Sequence, residues 1–359
     1  MKEDIIEQGV YFYEKVRATQ LAAQYITFDW LMGLLPGTQR VSKRQDPEIF
    51  RALQVSLNEL LHNDAKLFST GLLPLSLLWP QETKFSDILK SYPRLFRDGW
   101  KIYRRRKANG SKDFSVAAEE AAKTNDVPEY YRRCFHFQSD GYLSEESARL
   151  YDRQVDLLFA GATDAMRRLM VSPILRLISP KRDTHPRGKG LRFLELGCGT
   201  GSATPILAQL FPDAEITAVD LSPHYLKHAR GRLNQFLNVH PLRADASSLP
   251  FHGDRFDLIY STFLFHELPL EVRQSVLQEA RRVAREGCVL AIVDSVQRGD
   301  SSLFDELLED FPKNYHEPFF KNYATHPMSP IIEQAGFTVK SETVGFASKA
   351  WTARLEQKN

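Results

Sequence analysis

A glycine-rich segment, ELGCGTG at residues 195–201, constrains the fold of this chain more than any other part of the sequence. An apolar run, Leu191–Leu196, leads into it, and a run with helical spacing, Ala203–Phe211, follows it. A glycine loop between a strand and a helix is typical of sheets that bind nucleotides, because glycine tolerates positive φ and lets a ligand approach the backbone. The first N–H groups of the helix point toward such a ligand. The sequence therefore predicts a strand–loop–helix unit with a ligand at the loop.

Strand-like and helix-like segments alternate after this loop, which predicts a parallel sheet covered by helices on both faces. The expected strands are Leu191–Leu196, Ile216–Leu221, Val239–Ala244, Phe256–Phe263 and Val289–Asp294, and the expected helices include Ala203–Phe211, Pro223–Phe236 and Leu270–Arg285. Two late segments, Thr338–Phe346 and Ser348–Leu355, lie too close together for a helical crossover. We expect them to pair antiparallel at the end of the sheet.

The first half of the chain differs in both charge and pattern. Residues 1–189 carry a net charge of +6 and residues 190–359 a net charge of −4, and a connection rich in proline, glycine and charge joins them at Ser179–Gly190. Asp46-Pro47 and Ser144 are typical helix starts, and no strands are predicted before residue 190. We therefore predict a helical domain at 1–185, acting as an acceptor lid or interaction domain, and an α/β domain at 186–359.

The spacing of the glycines and nearby acids indicates which nucleotide binds. The dinucleotide fingerprint is G-x-G-x-x-G, whereas this loop reads G-x-G-x-G and follows Glu195, whose charge would repel a pyrophosphate. Asp220 ends the next strand, where a carboxylate can accept hydrogen bonds from both ribose hydroxyls. Asp245 ends the third strand, where it can accept from an adenine amine while Ala246 offers a backbone N–H. These features favour a cationic adenosyl ligand over NAD.

Residues 190–359 resemble the class I S-adenosylmethionine-dependent methyltransferases. The segments that carry the resemblance are LELGCGTG, AVDLSPHYLKHAR, RADASSLPFHGDRFDLIYSTFLFHEL and GCVLAIVDSVQ. These segments resemble the branch that methylates small molecules such as quinone precursors. The resemblance implies a Rossmann-like sheet of seven strands, the last inserted antiparallel, and S-adenosylmethionine as cofactor. The predicted cofactor-binding residues are Glu195, Gly197, Cys198, Gly199, Gly201, Asp220, Leu221, Asp245, Ala246 and Ser261.

The catalytic residues are less constrained, because methyl transfer from a sulfonium mainly requires alignment of donor and acceptor. A base is needed only if the acceptor must lose a proton. His266, which follows the fourth strand, is one candidate, although it could instead brace the end of the strand. His316 and Glu317 are further candidates, although their segment could be a packed connector.

The acceptor pocket is predicted from the same two segments and from an aromatic stretch in the first half. Family members often place a helical lid over the acceptor, which would bring His136 and Tyr142 to the pocket; an ordinary domain interface is the alternative. The predicted substrate-binding residues are His136, Tyr142, Phe265, His266, Tyr315 and His316. No metal ligands are predicted.

Composition excludes several other classes of protein. A net charge of +2 does not suit a polybasic nucleic-acid binder, and an amino-methylating enzyme of nucleic acid would carry proline where Ser261-Thr262-Phe263-Leu264 stands. The alternatives left open are a protein or nucleic-acid methyltransferase and a non-catalytic assembly factor that kept the fold.

The expected compartment is the cytoplasm, because three cysteines form no disulfide framework and the N-terminus lacks the pattern of a signal peptide. No apolar run reaches the roughly 20 residues that a bilayer span needs. The basic run Lys101–Lys107 is either a solvated helix face or a point of peripheral membrane contact. The sequence does not indicate an oligomeric state.

Overall fold

The computed structural model describes residues 2–33, 47–78, 119–120, 127–133, 135, 140–184, 186–315 and 317–356. Within these ranges the second half of the chain forms a seven-stranded sheet flanked by helices, and the first half is helical. The predicted fold class, a mostly parallel Rossmann-like sheet with a large helical N-terminal region, is therefore confirmed.

The strands follow one another in the sheet in the order β3-β2-β1-β4-β5-β7-β6. Their bounds are β1 Arg192–Leu196, β2 Glu215–Asp220, β3 Val239–Arg243, β4 Phe256–Thr262, β5 Ala284–Ser295, β6 Phe337–Gly345 and β7 Ser348–Leu355. The first five pair in parallel, whereas β7 runs antiparallel to both β5 and β6. The expected antiparallel pair of late strands is present, and its second member is inserted into the sheet.

The helices cover the sheet and build the N-terminal region. Their bounds are α1 Lys2–Gly33, α2 Pro47–Ser69, α3 Glu145–Leu158, α4 Thr163–Arg168, α5 Val171–Thr184, α6 Thr204–Leu210, α7 Pro223–Leu233, α8 Leu270–Val283, α9 Ser302–Tyr315, α10 Phe320–Thr325 and α11 Met328–Gln334. Short 3₁₀ turns lie at Leu75–Leu78, Glu129–Tyr131, Pro186–Gly188 and Phe265–Glu267. The predicted cap of α3 is confirmed, since the side chain of Ser144 accepts a hydrogen bond from the backbone N–H of Ser147.

The two faces of the sheet bury two different sets of side chains. Alternate residues of a strand point to opposite faces, so Phe193 packs with α5, α6 and α7, whereas Leu194 packs with α8 and α11. Both residues are fully buried. Because both faces are covered, the central strands read as continuous apolar runs.

The helical region shares the first of these cores. Met170, Val171 and Ile174 of the N-terminal half are fully buried in the same cluster as Phe193 and Leu207. In addition, α5 continues to Thr184, well into the segment predicted to be a connection. The hydrophobic core therefore continues across residue 185, and the domain boundary there stays a prediction.

A buried ionic group ties the helices of the N-terminal region together. Arg168 of α4 donates to Asp64 of α2 at 2.6 Å and to Glu14 of α1 at 2.7 Å. All three residues are buried. Burial, reinforced by the nearby charge of Asp64, raises the pKa of Glu14 well above its ordinary value. Removing one member would leave an uncompensated buried charge, so this group fixes how α1, α2 and α4 pack.

Some boundaries differ from the sequence expectation. The strand expected to begin at Val289 begins at Ala284, directly after α8. The 17–34 stretch, for which the sequence gives no clear pattern, belongs mostly to α1. Asp46 and the basic run Lys101–Lys107 lie outside the described residues. Within the described residues, no helix has the length and apolarity required to cross a bilayer.

Candidate active site

A cavity lies at the carboxyl edge of the sheet, where β1 and β4 are neighbours and the order of the strands reverses. Open α/β sheets bind ligands at this position, because the connections on the two sides diverge there. Both the glycine loop and the N-terminal half contribute to its lining. The lining residues include Gly197, Cys198, Gly199, Asp220, Leu221, Asp245 and Ala246 from the sheet side, and Tyr130, Tyr131, Phe135, Tyr142, Tyr151 and Arg167 from the N-terminal half.

The backbone of the glycine loop is held in the left-handed region. Gly197, Gly199 and Gly201 have φ of 68°, 55° and 78°. A Cβ on Gly201 would come within 2.9 Å of Leu233, so this glycine lets the loop pack against α7 and does not line the cavity. A Cβ on Gly199 would meet only Tyr225, at 3.9 Å, which leaves open space above this residue. The loop therefore offers bare backbone to a ligand at Gly197 and Gly199.

Asp220 lies at the end of β2, beside the loop. One of its carboxylate oxygens accepts from the backbone N–H of Gly199 and the other from that of Ser222, both at 2.8 Å. Burial raises the pKa of this carboxyl, although the backbone hydrogen bonds oppose the shift. Each oxygen keeps a further lone pair, so Asp220 can still accept from the two hydroxyls of a ribose.

Asp245 follows β3, the next strand along the edge. Its Oδ1 accepts from the backbone N–H and the hydroxyl of Ser247, at 2.8 and 2.7 Å, whereas its Oδ2 has no hydrogen bond to a described residue. Asp245 and Ala246 both line the cavity. This free acceptor suits an exocyclic amine, as the sequence predicts for adenine.

Besides Gly201, two predicted cofactor residues do not reach the cavity. The Glu195 carboxylate turns into the core, where it accepts from Thr204 at 2.6 Å and from Tyr260 at 2.9 Å, and burial raises its pKa to about 7. Ser261 is buried and donates to the carbonyl of Leu196 at 2.8 Å. Neither side chain is among those that line the cavity, so both support the strands beneath it.

An acid of the N-terminal half braces the loop and has no counterpart in the sequence prediction. Asp152 of α3 accepts from the hydroxyls of Thr200 and Ser202, both at 2.8 Å, and pairs with Arg232 of α7 at 2.7 Å. The charges of Arg232 and Arg167 hold the pKa of Asp152 below its ordinary value despite its burial. Because no motif marks Asp152, only the folded arrangement identifies it.

The opposite wall of the cavity is aromatic. Phe135 and Tyr142 stack with ring centroids 5.0 Å apart, Tyr131 lies 5.9 Å from Tyr142, and Tyr225 of α7 lies 5.5 Å from both Tyr142 and Tyr151. We call Tyr130, Tyr131, Phe135, Tyr142 and Tyr151 the aromatic wall. Of these residues only Tyr142 was predicted from the sequence, because the stretch has no periodicity that separates pocket-facing from core-facing rings. His136 lies outside the described residues.

The chain matches known proteins over the same region. The family model described as a methyltransferase domain matches residues 193–287. An uncharacterized methyltransferase of Synechocystis is 32% identical over 150 residues, which is 42% of this chain and 68% of that protein. A malonyl-[acyl-carrier protein] O-methyltransferase of Paenibacillus is 30% identical over 200 residues, or 52% of this chain and 70% of that protein.

The chain belongs to the class I S-adenosylmethionine-dependent methyltransferases. Among solved structures, a methyltransferase from Aquifex aeolicus covers 53% of this chain and 96% of its own, at 23% identity and a TM-score of 0.37. The residues present fit the cofactor, since Asp220 and Asp245 keep acceptors for its hydroxyls and amine and Gly199 leaves room for its chain. The quinone-related branch stays a prediction.

The methyltransferase carries a buried cluster of acids around His266, at the end of β4. His266 Nδ1 lies 2.6 Å from Asp294, and Nε2 lies 3.5 Å from Glu267 and 3.9 Å from Glu317. Burial alone would lower the pKa of His266, but the charge and hydrogen bond of Asp294 outweigh it and raise the pKa well above the ordinary value. The neighbouring acids therefore favour the protonated form of the imidazole.

Glu267 is the member of this cluster that lines the cavity. Its Oε1 accepts from the hydroxyl of Tyr142 at 2.5 Å. A path of polar contacts thus runs from the aromatic wall through Glu267 to His266 and Asp294. His266 itself does not line the cavity.

The side chains of this cluster also carry atoms that can coordinate a metal ion. Ligand atoms of His266, Glu267 and Glu317 all lie within 4.8 Å of one another and all three residues are buried. This is the group of histidine, cysteine and acidic side chains within the described ranges that could hold an ion. The sequence predicts no metal in the methyltransferase, and that stays a prediction.

The structure does not bring all predicted acceptor residues together. Phe265 is fully buried in the core next to α8 and does not line the cavity, because its backbone N–H is fixed by Asp294 at 2.7 Å. Tyr315 ends α9, and its side chain lies outside the described part, as does His316. Glu317 is buried 3.9 Å from His266 but does not line the cavity, and its catalytic role stays a prediction.

Proposed function

We propose that this methyltransferase transfers a methyl group to an oxygen of a small molecule held between the glycine loop and the aromatic wall, and that Glu267 accepts the proton the acceptor loses. The observation that carries the proposal is the position of Glu267. It is the acid at the end of β4 that lines the cavity, and it contacts both Tyr142 and His266.

The covered cavity favours a small acceptor over a polymer. Tyr130 and Phe135 of the N-terminal half lie 6.5 and 6.2 Å from Phe319, which precedes α10. These contacts join the two segments that flank the end of β4, so the approach to the cavity is partly closed by side chains. A nucleic acid or folded protein would need an open face, whereas a small ring-bearing molecule can stack on the tyrosines.

Bound S-adenosylmethionine supplies a methyl group already activated by its sulfonium. The chain's own residues then align the acceptor oxygen and remove its proton. With the cofactor bound, transfer of its methyl group to the acceptor oxygen would release S-adenosylhomocysteine, and Glu267 would take the hydroxyl proton. Tyr142, which donates to the same carboxylate, fixes the orientation of Glu267.

His266 acts in this proposal as a positioning residue. Its positive charge, stabilised by Asp294, lies 3.5 Å from Glu267 and offsets the negative charge of that carboxylate. The sequence offers His266 as one candidate base among several. The geometry supports Glu267 for this step, because Glu267 lines the cavity and His266 does not.

Several relatives support oxygen as the accepting atom, although a phosphatidylethanolamine N-methyltransferase of Cereibacter is also among them. They include enzymes named as malonyl-[acyl-carrier protein] O-methyltransferases and a fatty-acid O-methyltransferase of Mycolicibacterium. Those names denote carboxyl acceptors, one of them carried by a protein, so the relatives support oxygen but not the kind of oxygen. We infer that the acceptor here carries a hydroxyl, because a buried acid at the reacting end repels a carboxylate and can take a proton from a hydroxyl.

The proposal is tested by following labelled methyl groups from S-adenosylmethionine into a small-molecule extract of the source organism and identifying the product. Glu267→Gln should lower kcat about 100-fold, the scale of general-base catalysis, while S-adenosylhomocysteine affinity stays within about 3-fold. Glu271→Gln, an exposed acid four residues away, is the matched control and should leave kcat unchanged. Cofactor binding without methyl transfer to any extract component would favour a non-catalytic assembly factor instead.

The role of His266 has its own readout in the pH profile. In His266→Gln the positive charge beside Glu267 is lost, so the acidic limb of the kcat profile should move up by about one pH unit. Chelation by EDTA should leave kcat unchanged. A loss of turnover on chelation, restored by a divalent cation, would assign the cluster to a metal and overturn this role.

A further inference from the structure

Arg167 stands out among the residues of the cavity because of its charge. Within the described part of the chain, the charged side chains that line the cavity are the acids Asp220, Asp245 and Glu267 and the single cation Arg167. Arg167 belongs to α4 of the N-terminal half and is only 7% exposed. A buried cation requires anionic partners, and Asp164 already pairs with one nitrogen of Arg167.

The described partners of Arg167 satisfy a small part of its hydrogen-bonding capacity. Its Nη1 donates to Asp164 Oδ1 at 2.8 Å, and its guanidinium lies 6.0 Å from the ring centre of Phe263. Its Nε and Nη2 make no hydrogen bond to a described residue. A guanidinium has five N–H donors in a planar fork that matches a carboxylate. The donors left over therefore suit a carboxylate that enters the cavity.

The order of the strands indicates which part of a bound cofactor would lie near Arg167. Asp245, Asp220 and the glycine loop follow β3, β2 and β1, which are adjacent in that order, and β4 comes next. Neighbouring strands lie about 4.8 Å apart, so adenine at Asp245 and ribose at Asp220 place the amino-acid end over β1, about 10 Å from Asp245.

Arg167 is at this same end of the edge. It contacts Phe263, which directly follows β4, and its charge acts on Glu195 of β1 and on Asp152, which braces the loop. The cofactor's ammonium and sulfonium are cations that the surrounding acids tolerate, whereas its α-carboxylate needs a cation. Arg167 is the cation that lines the cavity there.

We propose that Arg167 binds the α-carboxylate of the methionine end of S-adenosylmethionine, so that the N-terminal helical region supplies part of the cofactor site. The inference rests on the cofactor and not on the identity of the acceptor. It also explains why α4 packs against the end of β4 instead of serving only as a cover for the acceptor.

The test compares two ligands that differ in one group. S-adenosylhomocysteine carries the carboxylate, and its decarboxylated analogue, S-adenosyl-3-thiopropylamine, keeps the adenosine and the ammonium but lacks it. In titration calorimetry the wild-type enzyme should prefer S-adenosylhomocysteine by at least about 30-fold, the scale of a charge-assisted pair. Arg167→Gln should abolish that preference by lowering the affinity for S-adenosylhomocysteine alone. Arg167→Lys should keep part of the preference.

Several outcomes would overturn the proposal. Equal affinity of the wild-type enzyme for the two ligands would do so even if Arg167→Gln fails to fold. An equal loss for both ligands in Arg167→Gln would assign Arg167 to the support of the loop. If Arg167→Gln bound both ligands as tightly as the wild type, Arg167 would not contact the cofactor, and its charge would be assigned to binding the acceptor. Arg149→Gln, which removes an exposed arginine paired with Glu145 on α3, is the control and should bind both ligands like the wild type. No binding of either ligand by the wild type would instead contradict the cofactor assignment.

Discussion

The two walls of the cavity are built in different ways. The sheet wall consists of backbone and carboxylates at strand ends: Gly197, Gly199, Asp220 and Asp245. The aromatic wall consists of rings from the N-terminal half that stack on one another. It is attached to the sheet side by the hydroxyl of Ser222, which donates to the backbone carbonyl of Tyr142 at 2.9 Å. A strand end fixes its residues through the hydrogen bonds of the sheet, whereas a ring is placed by side-chain packing. The difference suggests that the sheet wall serves the common cofactor and the aromatic wall a particular acceptor.

The largest expected effect is on the sheet wall. Asp220→Ala removes the acceptor for both ribose hydroxyls, each a charge-assisted hydrogen bond, so S-adenosylhomocysteine should bind about 100-fold more weakly or worse. Titration calorimetry measures this affinity, and circular dichroism verifies that the variant is folded. If affinity changed by less than about 3-fold, the ribose would not lie at the end of β2 and the two walls would not divide the ligands as described.

The second test asks whether Glu195 belongs to the cofactor wall or to the core. Its ordinary pKa of 4.5 rises to about 7 on burial, so the folded state holds its proton more tightly than the unfolded state does. Its contribution to stability is therefore present below pH 4.5 and is lost as the pH rises to 7, a decrease of about 3 kcal/mol in the free energy of unfolding.

Glu195→Gln should remove most of this slope, because Gln can still accept from Thr204 and Tyr260 but does not titrate. Urea unfolding at pH 5 and pH 7 measures the slope. S-adenosylhomocysteine affinity should change by less than about 3-fold. A large loss of affinity with an unchanged slope would return Glu195 to the cofactor wall, as the sequence predicted.

The smallest expected effect is on the aromatic wall. Tyr142→Phe keeps the ring and its stacking on Phe135 but removes the hydroxyl that orients Glu267. We expect kcat to fall about 10-fold with cofactor affinity unchanged. Tyr323→Phe is the matched control, since its hydroxyl donates to the carbonyl of Ser295 outside the cavity. Weaker cofactor binding in Tyr142→Phe would show that the aromatic wall also contacts the cofactor and would contradict the division between the walls.

The sheet wall could be predicted from the sequence to a much greater extent than the aromatic wall. The strand order, Asp220, Asp245 and the glycine loop could be predicted, because each depends on a local pattern placed by the sheet. Glu195 could not be assigned from its spacing, since whether an acid at a strand end faces the ligand or the core depends on partners such as Tyr260, which is 65 residues away.

Tyr131, Asp152 and Arg167 could not be predicted either. Their positions beside the cavity and its loop depend on how the N-terminal half packs on the edge of the sheet. A single aromatic or charged residue does not change the hydrophobic periodicity from which a helix face is predicted. The buried contact between Glu267 and Tyr142 joins residues 125 apart, so it depends on the tertiary fold alone.

The most direct test of the central claim, that the sheet wall binds the donor and the aromatic wall the acceptor, is a crystal structure with S-adenosylhomocysteine. It should show the ribose hydroxyls on Asp220, the adenine amine at Asp245 and the sulfur facing the gap between Phe263 and Glu267, with the aromatic wall left for a second ligand. An adenosine stacked among Tyr131, Phe135 and Tyr142, with Asp220 free of the ribose, would contradict the account.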